Sequence, residues 1–521
     1  MDLPSLFDQL EDGFISCPID GKKFMPRDYL ESIISKENVK GEMKIKDGVL
    51  VKAKLRKPSD LPERVASRAK RIFAALVVMD KVAAIEGLLD EGLTDEHLPL
   101  THDPDPKHDA FLSIDGSTAF HFANCGGPTV KEFIHNKQWL FVSPILDTTG
   151  QLIQVDQNCA LPFTESDFAG SGAAGVVHWA KLHQAHQRGF EAETDGLQVA
   201  VKEFHKKAEF DKENETLQQI KALQHRHIIR HLVSIYKRVE DKGKGEGKGY
   251  IIFPWAAGGN LQDFWEHSVQ EPSQERVLWS IQQMLGLTTA LYMLHEHFKC
   301  RHGDLKPGNI LCVKESEETV LKLADFGISK IHHAQTTYRK TATTTPYLTP
   351  SYQGPEVEFE KTSAMDQHPR SRKYDIWSLG CVFLELAIWV LYGPQGIKDF
   401  FGARGNGTSS SSSSSPLYSV TDKAAKSAIV HELASWTIGK LENNPLCEGD
   451  TALAALLNLI KDEMLKPKVE ERPSAADVCR QLENILQEAE KRPSYLLNSP
   501  ASLVLPKLDF EEFHSDFNSG K

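Results

Sequence analysis

The sequence predicts an α+β fold of two lobes, one strand-rich and one helix-rich, preceded by a mainly helical N-terminal region. Three observations predict it. From about residue 163 to 490 the chain opens on β-rich segments such as Val199-Ala200-Val201-Lys202 and Tyr250-Ile251-Ile252-Phe253 and closes on helical ones, the order expected when sheet and helix layers segregate. Residues 1–137 carry apolar positions at helical spacing instead. The 521 residues, 40% hydrophobic and 25% charged, are enough for about two to four soluble domains with a sizeable core.

Within residues 1–137 the clearest helical signal starts after Ser59-Asp60, with Pro62 in the first turn. Val65, Ile72, Phe73, Leu76, Val82, Ile85 and Leu89 then recur before Gly92, which predicts an amphipathic helix or a helix pair. Arg64, Arg68, Lys70 and Arg71 at its start read as a solvated face. Residues 101–110 read as a loop, and His102 and His108 as ordinary loop histidines, because no second cluster of metal ligands accompanies them. Residues 138–162 form a strand-like connector, with two strands expected around Thr148-Thr149-Gly150.

Two low-complexity tracts interrupt residues 163–490. Lys237 to Gly249 reads as a solvated hairpin loop, and the run Ser409 to Ser415, inside about 402–418, as a flexible insert. The apolar stretch Leu379 to Leu391 contains Glu385 and falls short of the ~20 residues a membrane span needs, so a buried core helix is expected. Residues 491–521, acidic with Phe510, Phe513 and Phe517, read as a disordered tail.

The net charge of -12 argues against general affinity for nucleic acid or anionic membrane. Asp8, Glu11, Asp12 and Asp20 interrupt the N-terminus where a signal peptide would need a basic and then an apolar stretch; an intracellular protein, cytoplasmic or nuclear, is expected. The eight cysteines form no C-x-x-C pair and no zinc spacing, and read as reduced structural thiols.

The chemistry is carried by motifs in a fixed chain order. Gly170-Ser171-Gly172-Ala173-Ala174-Gly175 fits a loop whose backbone approaches phosphates, a pattern that dinucleotide-binding turns share. Here, however, it runs into Val176-Val177-His178-Trp179, more strand than helix. Lys202 follows on a strand able to present an ammonium to phosphates. On the next helix Glu213 lies on the face of Leu217 and Ile220, whereas Glu215 lies about 200° away, so Glu213 is the expected carboxylate partner of Lys202. Tyr250 to Ala256 is an apolar strand running into a glycine turn, where Phe253, Pro254 and Ala256 can offer backbone groups to a purine. Then comes His302-Gly303-Asp304-Leu305-Lys306-Pro307-Gly308-Asn309, 16 residues before Asp325-Phe326-Gly327 when counted from Asn309. Asp304 is the candidate base, Lys306 the candidate γ-phosphate cation, and Asn309 with Asp325 the candidate magnesium ligands for phosphoryl transfer from ATP.

With these motifs in place, residues 163–490 resemble a eukaryotic protein kinase domain. The resemblance implies a small antiparallel β lobe with one main helix, a larger helical lobe, ATP and Mg2+ as cofactors, and a protein substrate. It also implies that Val177, Ala200 and Leu311 sandwich adenine, that Glu356 pairs with Arg472, and that Asp375 holds the catalytic-loop backbone. Lys306 two places after the base and Thr349 near the segment end resemble serine/threonine rather than tyrosine kinases. The N-terminal region ahead of Gln138-Trp139-Leu140-Phe141 and Leu161-Pro162-Phe163 resembles kinase-domain proteins of filamentous fungi. A tail bearing phenylalanines docks on the small lobe in some kinases, an alternative to disorder here.

Two positions depart from the family pattern. Gly303 replaces the arginine that in many members binds a phosphorylated activation segment, so activation is expected not to depend on phosphate there, despite Thr336, Thr337, Tyr338, Thr341, Thr343, Thr344 and Thr345. Gly354 replaces the usual alanine before Pro355-Glu356. Every catalytic role is filled, which favours an active enzyme over the alternative, a catalytically silent kinase-like scaffold that binds protein partners.

Overall fold

Val199 and Val201 are fully buried in one core while Ala200 and Lys202 lie on the opposite face of the same strand, as period-two alternation requires. The structure is a computed structural model. It describes residues 4–50, 60–102, 111–121, 127–172, 174–190, 196–239, 247–268, 271–326, 330–331, 350–360, 371–405, 415–498 and 506–513, the side chains of 44–50, 330–331, 350 and 360 excepted. His108, Cys125, Ala173, Gly327, the hydroxyl residues from Thr336 to Thr349, the serines up to Ser414 and Phe517 lie outside the described residues. The chain divides into two units, Met1–Phe210 with His231–Pro254, and Asp211–Arg230 with Trp255–Lys521.

The first unit is organised by a six-stranded sheet. Its strands are β1 (Leu152–Asp156), β2 (Phe163–Ser171), β3 (Gly175–Leu182), β4 (Leu197–Phe204), β5 (Val233–Arg238) and β6 (Lys248–Pro254), in the order β1-β5-β6-β4-β3-β2. Five strands pair antiparallel, as expected, but β1 joins β5 in parallel, so the sheet is mixed. The connector therefore does not fold back on itself. Asp147 caps the Thr148-Thr149-Gly150 turn by accepting from the Thr149 amide at 2.9 Å, and Gly150 N–H donates to Leu232 O at 2.7 Å, which steers the chain onto the edge of β5. Leu146–Asp147 pairs instead with Gln187–Arg188. The connector's start, Gln138–Leu140, is a 3-10 turn whose Gln138 side chain is buried and bonds the Leu100 backbone at both ends, at 2.7 and 2.9 Å.

The helical N-terminal region belongs to this same unit, and the expected boundaries at 137 and 162 fall inside it. Cys17 lies in the sheet's core with Leu146, Leu161 and Ile235. Lys237, expected in a solvated tract, is buried and pairs with buried Asp20 at 2.6 Å. Asp20 also accepts from the Leu161 amide at 3.0 Å, so its carboxylate is doubly engaged.

The helical signal after Asp60 becomes three helices, Leu61–Arg68, α1 (Lys70–Val78) and Ile85–Asp90, with a 3-10 turn at Val82–Ala84; the first break is at Ala69, where φ is -141° and ψ is 37°. No side chain of its own turn caps α1; Asp95, 24 residues on, does so by accepting from the Arg71 amide at 3.0 Å and the Ile72 amide at 3.1 Å. Asp95→Ala is expected to lower stability by about 1–2 kcal/mol, the usual worth of a capping carboxylate, read as a lower midpoint in denaturant unfolding. A variant of unchanged midpoint would show that the cap contributes nothing.

The division between units falls within α2 (Lys207–Ile220). The second unit is built on α3 (Gln274–His297), α4 (Lys373–Arg404), α5 (Glu432–Glu442) and α6 (Ala475–Lys491), with the hairpin Ile310–Glu315 and Glu318–Leu323. α4 kinks at Gly393, just before Pro394. By length and composition α4 could cross a membrane, yet its apolar stretch is buried within the unit, as expected of a core helix. The ends of the expected flexible insert are ordered: residues 402–404 finish α4 and Gly405 caps it, Arg404 binds the Ser415 carbonyl at 3.1 Å, and Leu417 is buried. Disorder also fails as a description of parts of the tail, because Tyr495, Leu496, Leu497, Phe510 and Phe513 are all buried. The seven described cysteines are buried and free.

Candidate active site

The strand register gathers the nucleotide-binding candidates of the first unit on one sheet face. Residues directly opposite in an antiparallel pair share a face, and Lys202 sits opposite Val177 while Ala200 sits opposite Phe253. Since Ala200 and Lys202 are two residues apart on β4, all four side chains share the face. Lys202 is buried with its ammonium 5.2 Å from the centre of the Phe204 ring. Pro254, which has no N–H to offer, ends β6 opposite Val199.

The glycine loop joins β2 to β3 through a turn in which Gly172 N–H donates to Gly175 O at 2.9 Å. Gly175 is required by packing, because a Cβ there would run into the Glu203 carbonyl. At Gly170 and Gly172 a Cβ would meet nothing within 4 Å, so their backbone borders open space of the kind a phosphate group needs.

The catalytic-loop candidates lie in the second unit and are tied together directly. Asp304 Oδ2 accepts from Lys306 Nζ and from Asn309 Nδ2, both at 2.9 Å. Asn309 Nδ2 also donates to Asp304 O at 2.8 Å, and Ala324 N–H donates to Asn309 O at 2.9 Å, which places Asp325 one residue from the loop. With the Asn309 amide nitrogen committed to Asp304, its Oδ1 is the atom that faces away. That oxygen and the exposed Asp325 carboxylate are hard donors of the kind magnesium takes, so the residues present fit the ion. Asp325 has a φ of 61°, and buried Phe326 packs 5.2 Å from the His302 ring, so the turn aims the carboxylate while the next side chain anchors it.

The loop backbone hangs on Asp375. Its two oxygens accept from the His302 and Gly303 amides, each at 2.9 Å, and its Oδ2 also meets His295 Nε2 at 2.8 Å. Burial alone would raise its pKa, but the His295 hydrogen bond and the charges of His295, Arg301 and His302 outweigh it and hold the carboxyl below its ordinary value. Gly303, between these contacts, has a φ of 86°, a left-handed conformation that a side chain would strain and glycine does not. The expected Glu356–Arg472 pair is bidentate, at 2.8 and 2.7 Å, with Arg472 buried and also bonded to the Lys466 carbonyl at 2.7 Å.

The remaining candidates are placed as follows. Glu213 is 1% exposed on α2, whereas Glu215 is exposed and accepts from Gln219, so the inward face is the one the helical spacing predicts. Leu311 forms an isolated bridge with Asn260, and Ala256 is buried two residues before the Gly258-Gly259 turn. Sequence reasoning missed His295 and Arg301, which bear on Asp375 from α3 and from the residue before His302. It also missed Arg404, although a carboxylate such as Glu385 inside an apolar run is itself a signal that a buried cation must be supplied.

Comparison with known proteins agrees with this geometry. The protein kinase domain family model matches residues 163–482, more than half of the chain. The chain is 30% identical over 226 residues to the serine/threonine-protein kinase Nek8 of Danio rerio, covering 43% of this chain and 28% of that protein. It is 31% identical over 228 residues to the serine/threonine-protein kinase nekl-2 of Caenorhabditis elegans, 42% of this chain and 55% of that one, and 30% identical over 171 residues to the serine/threonine-protein kinase Nek2 of Homo sapiens, 32% and 34%. In each case the match spans little more than half of the relative's length or less, and none of these three relatives is fungal.

Proposed function

The chain belongs to the protein kinase domain family, and from that premise we propose that it is an ATP- and magnesium-dependent serine/threonine kinase acting on protein hydroxyls. The observation that carries the reading is the joining of Asp304, Lys306 and Asn309 at one carboxylate oxygen, one residue from Asp325. Asp304 Oδ1, which accepts no hydrogen bond from the described residues, orients the acceptor hydroxyl and takes its proton as the hydroxyl oxygen bonds the γ-phosphorus and the bond from that phosphorus to the β–γ bridging oxygen breaks, releasing ADP. Lys306 stands on the other carboxylate oxygen, within reach of the transferring group's negative charge. Lys202, with Glu213 as its carboxylate, holds the α- and β-phosphates, and the Gly170–Gly175 backbone covers them. Val177, Ala200, Leu311 and the Phe253–Ala256 segment receive the adenine. Asn309 Oδ1 and Asp325 hold magnesium, which supplies charge neutralisation on the phosphates.

Activation in this reading does not require a phosphate on the activation segment. Gly303 offers no guanidinium, and its left-handed backbone is held by Asp375 instead. The reading includes an intracellular, cytoplasmic or nuclear location, supported by the burial of the one long apolar helix among the described residues, and a protein substrate rather than nucleic acid or membrane, supported by the net charge of -12.

The test is transfer of labelled phosphate from magnesium-ATP to serine- and threonine-containing protein substrates. Wild type is expected to exceed Lys202→Met by at least about a hundredfold, since the phosphate clamp is removed. Equal rates would favour the silent scaffold. Replacing the segment hydroxyls from Thr336 to Thr345 with Ala or Phe is expected to leave most of the activity, and its loss would refute activation without phosphate.

A further inference from the structure

Four polar side chains of the first unit meet at a cavity that the catalytic reading does not use. His186 comes from the 3-10 turn Gln184–His186 between β3 and β4, Ser143 from the connector, Arg71 from the first turn of α1, and Arg27 from the start of the short helix Arg27–Ile33. Met25 and Phe141 supply an apolar wall, and the enclosed part, about 10 Å³, has room for one atom the size of a water oxygen. His186 is 3% exposed and its ring is fixed: the Phe24 ring meets it edge-on at 5.3 Å, and Nδ1 lies 3.1 Å from the Pro144 carbonyl. A carbonyl only accepts, so Nδ1 carries the hydrogen. Burial pushes the imidazole down to about 4, against the pull of the Pro144 and Met25 carbonyls and of Asp28, so the ring is neutral near pH 7 and Nε2 is a bare lone pair. That Nε2 is buried without a hydrogen-bond partner, on a side chain that lines the cavity. The Met25 carbonyl, an acceptor itself, cannot satisfy it.

Ser143 has the same need. Its hydroxyl hydrogen goes to the Ala160 carbonyl at 2.9 Å, which leaves its buried oxygen as an acceptor. Arg27 and Arg71 have the opposite need. Neither guanidinium has a hydrogen-bond or ion-pair partner among the described residues, and Asp95, close to Arg71, is already taken by backbone amides. The cavity thus sets two lone pairs beside two forked donors. A water would satisfy the lone pairs and leave the charges unmatched, while sulfate would match the charges and offer nothing to Nε2. A phosphate group that keeps one proton does both, since its O–H donates to Nε2 and its anionic oxygens accept from the guanidiniums. With a second pKa of about 6, a phosphate monoester holds that proton near neutral pH at little cost. We propose that Arg27, Arg71, Ser143 and His186 form a binding site for a singly protonated phosphate group, free or carried on a side chain, with one oxygen in the cavity and the others against the arginines. The occupant ties the N-terminal helices to the β3–β4 loop. The proposal stands independently of the phosphotransfer reading.

The probes are inorganic phosphate, O-phosphoserine and sulfate, titrated calorimetrically into the full chain at pH 7 and constant ionic strength, with thermal unfolding of the same samples. Phosphate is expected to bind saturably and to raise the unfolding midpoint, and sulfate to bind at least about fivefold more weakly, because it has no hydroxyl for Nε2. Arg27→Gln/Arg71→Gln is expected to unfold at the wild-type midpoint in chloride, since neither side chain is buried, and to bind phosphate at least about tenfold more weakly. His186→Phe keeps a ring against Phe24 and is expected to bind phosphate and sulfate alike, a loss of discrimination that a folding defect would not produce. Magnesium-ATP is expected not to displace the phosphate. No saturable phosphate binding, the behaviour of a cavity filled by water alone, would overturn the proposal. So would equal affinity of the wild type for sulfate, unchanged binding in the arginine variant, or displacement by magnesium-ATP, which would assign the ion to the nucleotide site. Tighter binding of O-phosphoserine supports a phosphorylated side chain as the source, and tighter binding of inorganic phosphate supports the free ion.

Discussion

Asp304→Asn is expected to lower phosphate transfer by about 10²–10⁴-fold, the usual contribution of a positioned general base, with the fold retained. The asparagine keeps the size of the carboxylate and can still meet Lys306 or Asn309 through its amide, so the loop geometry has no reason to collapse. The loop backbone is held by Asp375 through the His302 and Gly303 amides, independently of Asp304. What is lost, in the role proposed for Asp304, is the charge that orients the hydroxyl and receives its proton. Single-turnover rates at saturating magnesium-ATP, beside thermal unfolding of the same preparations, separate chemistry from stability. A variant retaining about a third of the wild-type rate would remove Asp304 from the role of base.

Arg404→Met is expected to cost about 3–5 kcal/mol of stability, because it strands a buried carboxylate. Arg404 Nη1 meets Glu385 Oε1 at 2.7 Å, its other nitrogens bond the Ser351 carbonyl at 2.7 Å and the Ser415 carbonyl, and both charged side chains are essentially inaccessible to water. Tyr352 donates its hydroxyl to the second Glu385 oxygen at 3.0 Å. Burial pushes the Glu385 carboxyl up to about 7 against the pull of Arg404 and the Tyr352 hydroxyl. Its folded pKa thus lies above its unfolded one. Stability from this group is therefore fully present below the ordinary carboxylate range and lost as pH rises toward 7. Without Arg404 the ionised form is disfavoured further, so the cost of the substitution grows with pH and is larger at about pH 8 than at about pH 5. Urea unfolding at both pH values checks this, and a cost independent of pH would show that Arg404 acts through its carbonyl contacts alone. Replacing Glu385 with Leu in the same background should restore most of the loss, since a buried pair exchanged for apolar groups is often near neutral.

The parts of this protein that were legible in the sequence are those whose meaning is local. His302 to Asn309 places a carboxylate, a cation and an amide within eight residues, and the structure joins them within that loop. That Glu213 rather than Glu215 turns inward needed only helical geometry. What could not be read depends on partners far along the chain. Lys237 looks like one more charge in a glycine- and lysine-rich tract, because the aspartate that buries it stands 217 residues earlier. The cap of α1 is likewise supplied by Asp95, outside its own turn. Strand alternation around Thr148-Thr149-Gly150 was real, but alternation does not say which edge a strand will join, and β5 offered an open one. The acidic tail carried a composition typical of disorder, and only the position of Trp436 and Lys440 on α5 made a place for its phenylalanines.

The parallel pairing of β1 with β5 sets a limit on where this chain can be cut. A fragment beginning at Phe163, where the family match begins, would lack both β1 and Asp20. The outer edge of β5 would then present bare amides and carbonyls to any passing strand, with Lys237 left in the interior without its counter-charge. Such a fragment should be prone to assemble edge to edge during expression and to be recovered in inclusion bodies, so residues that look dispensable for chemistry act as the guard that keeps the catalytic sheet from polymerising.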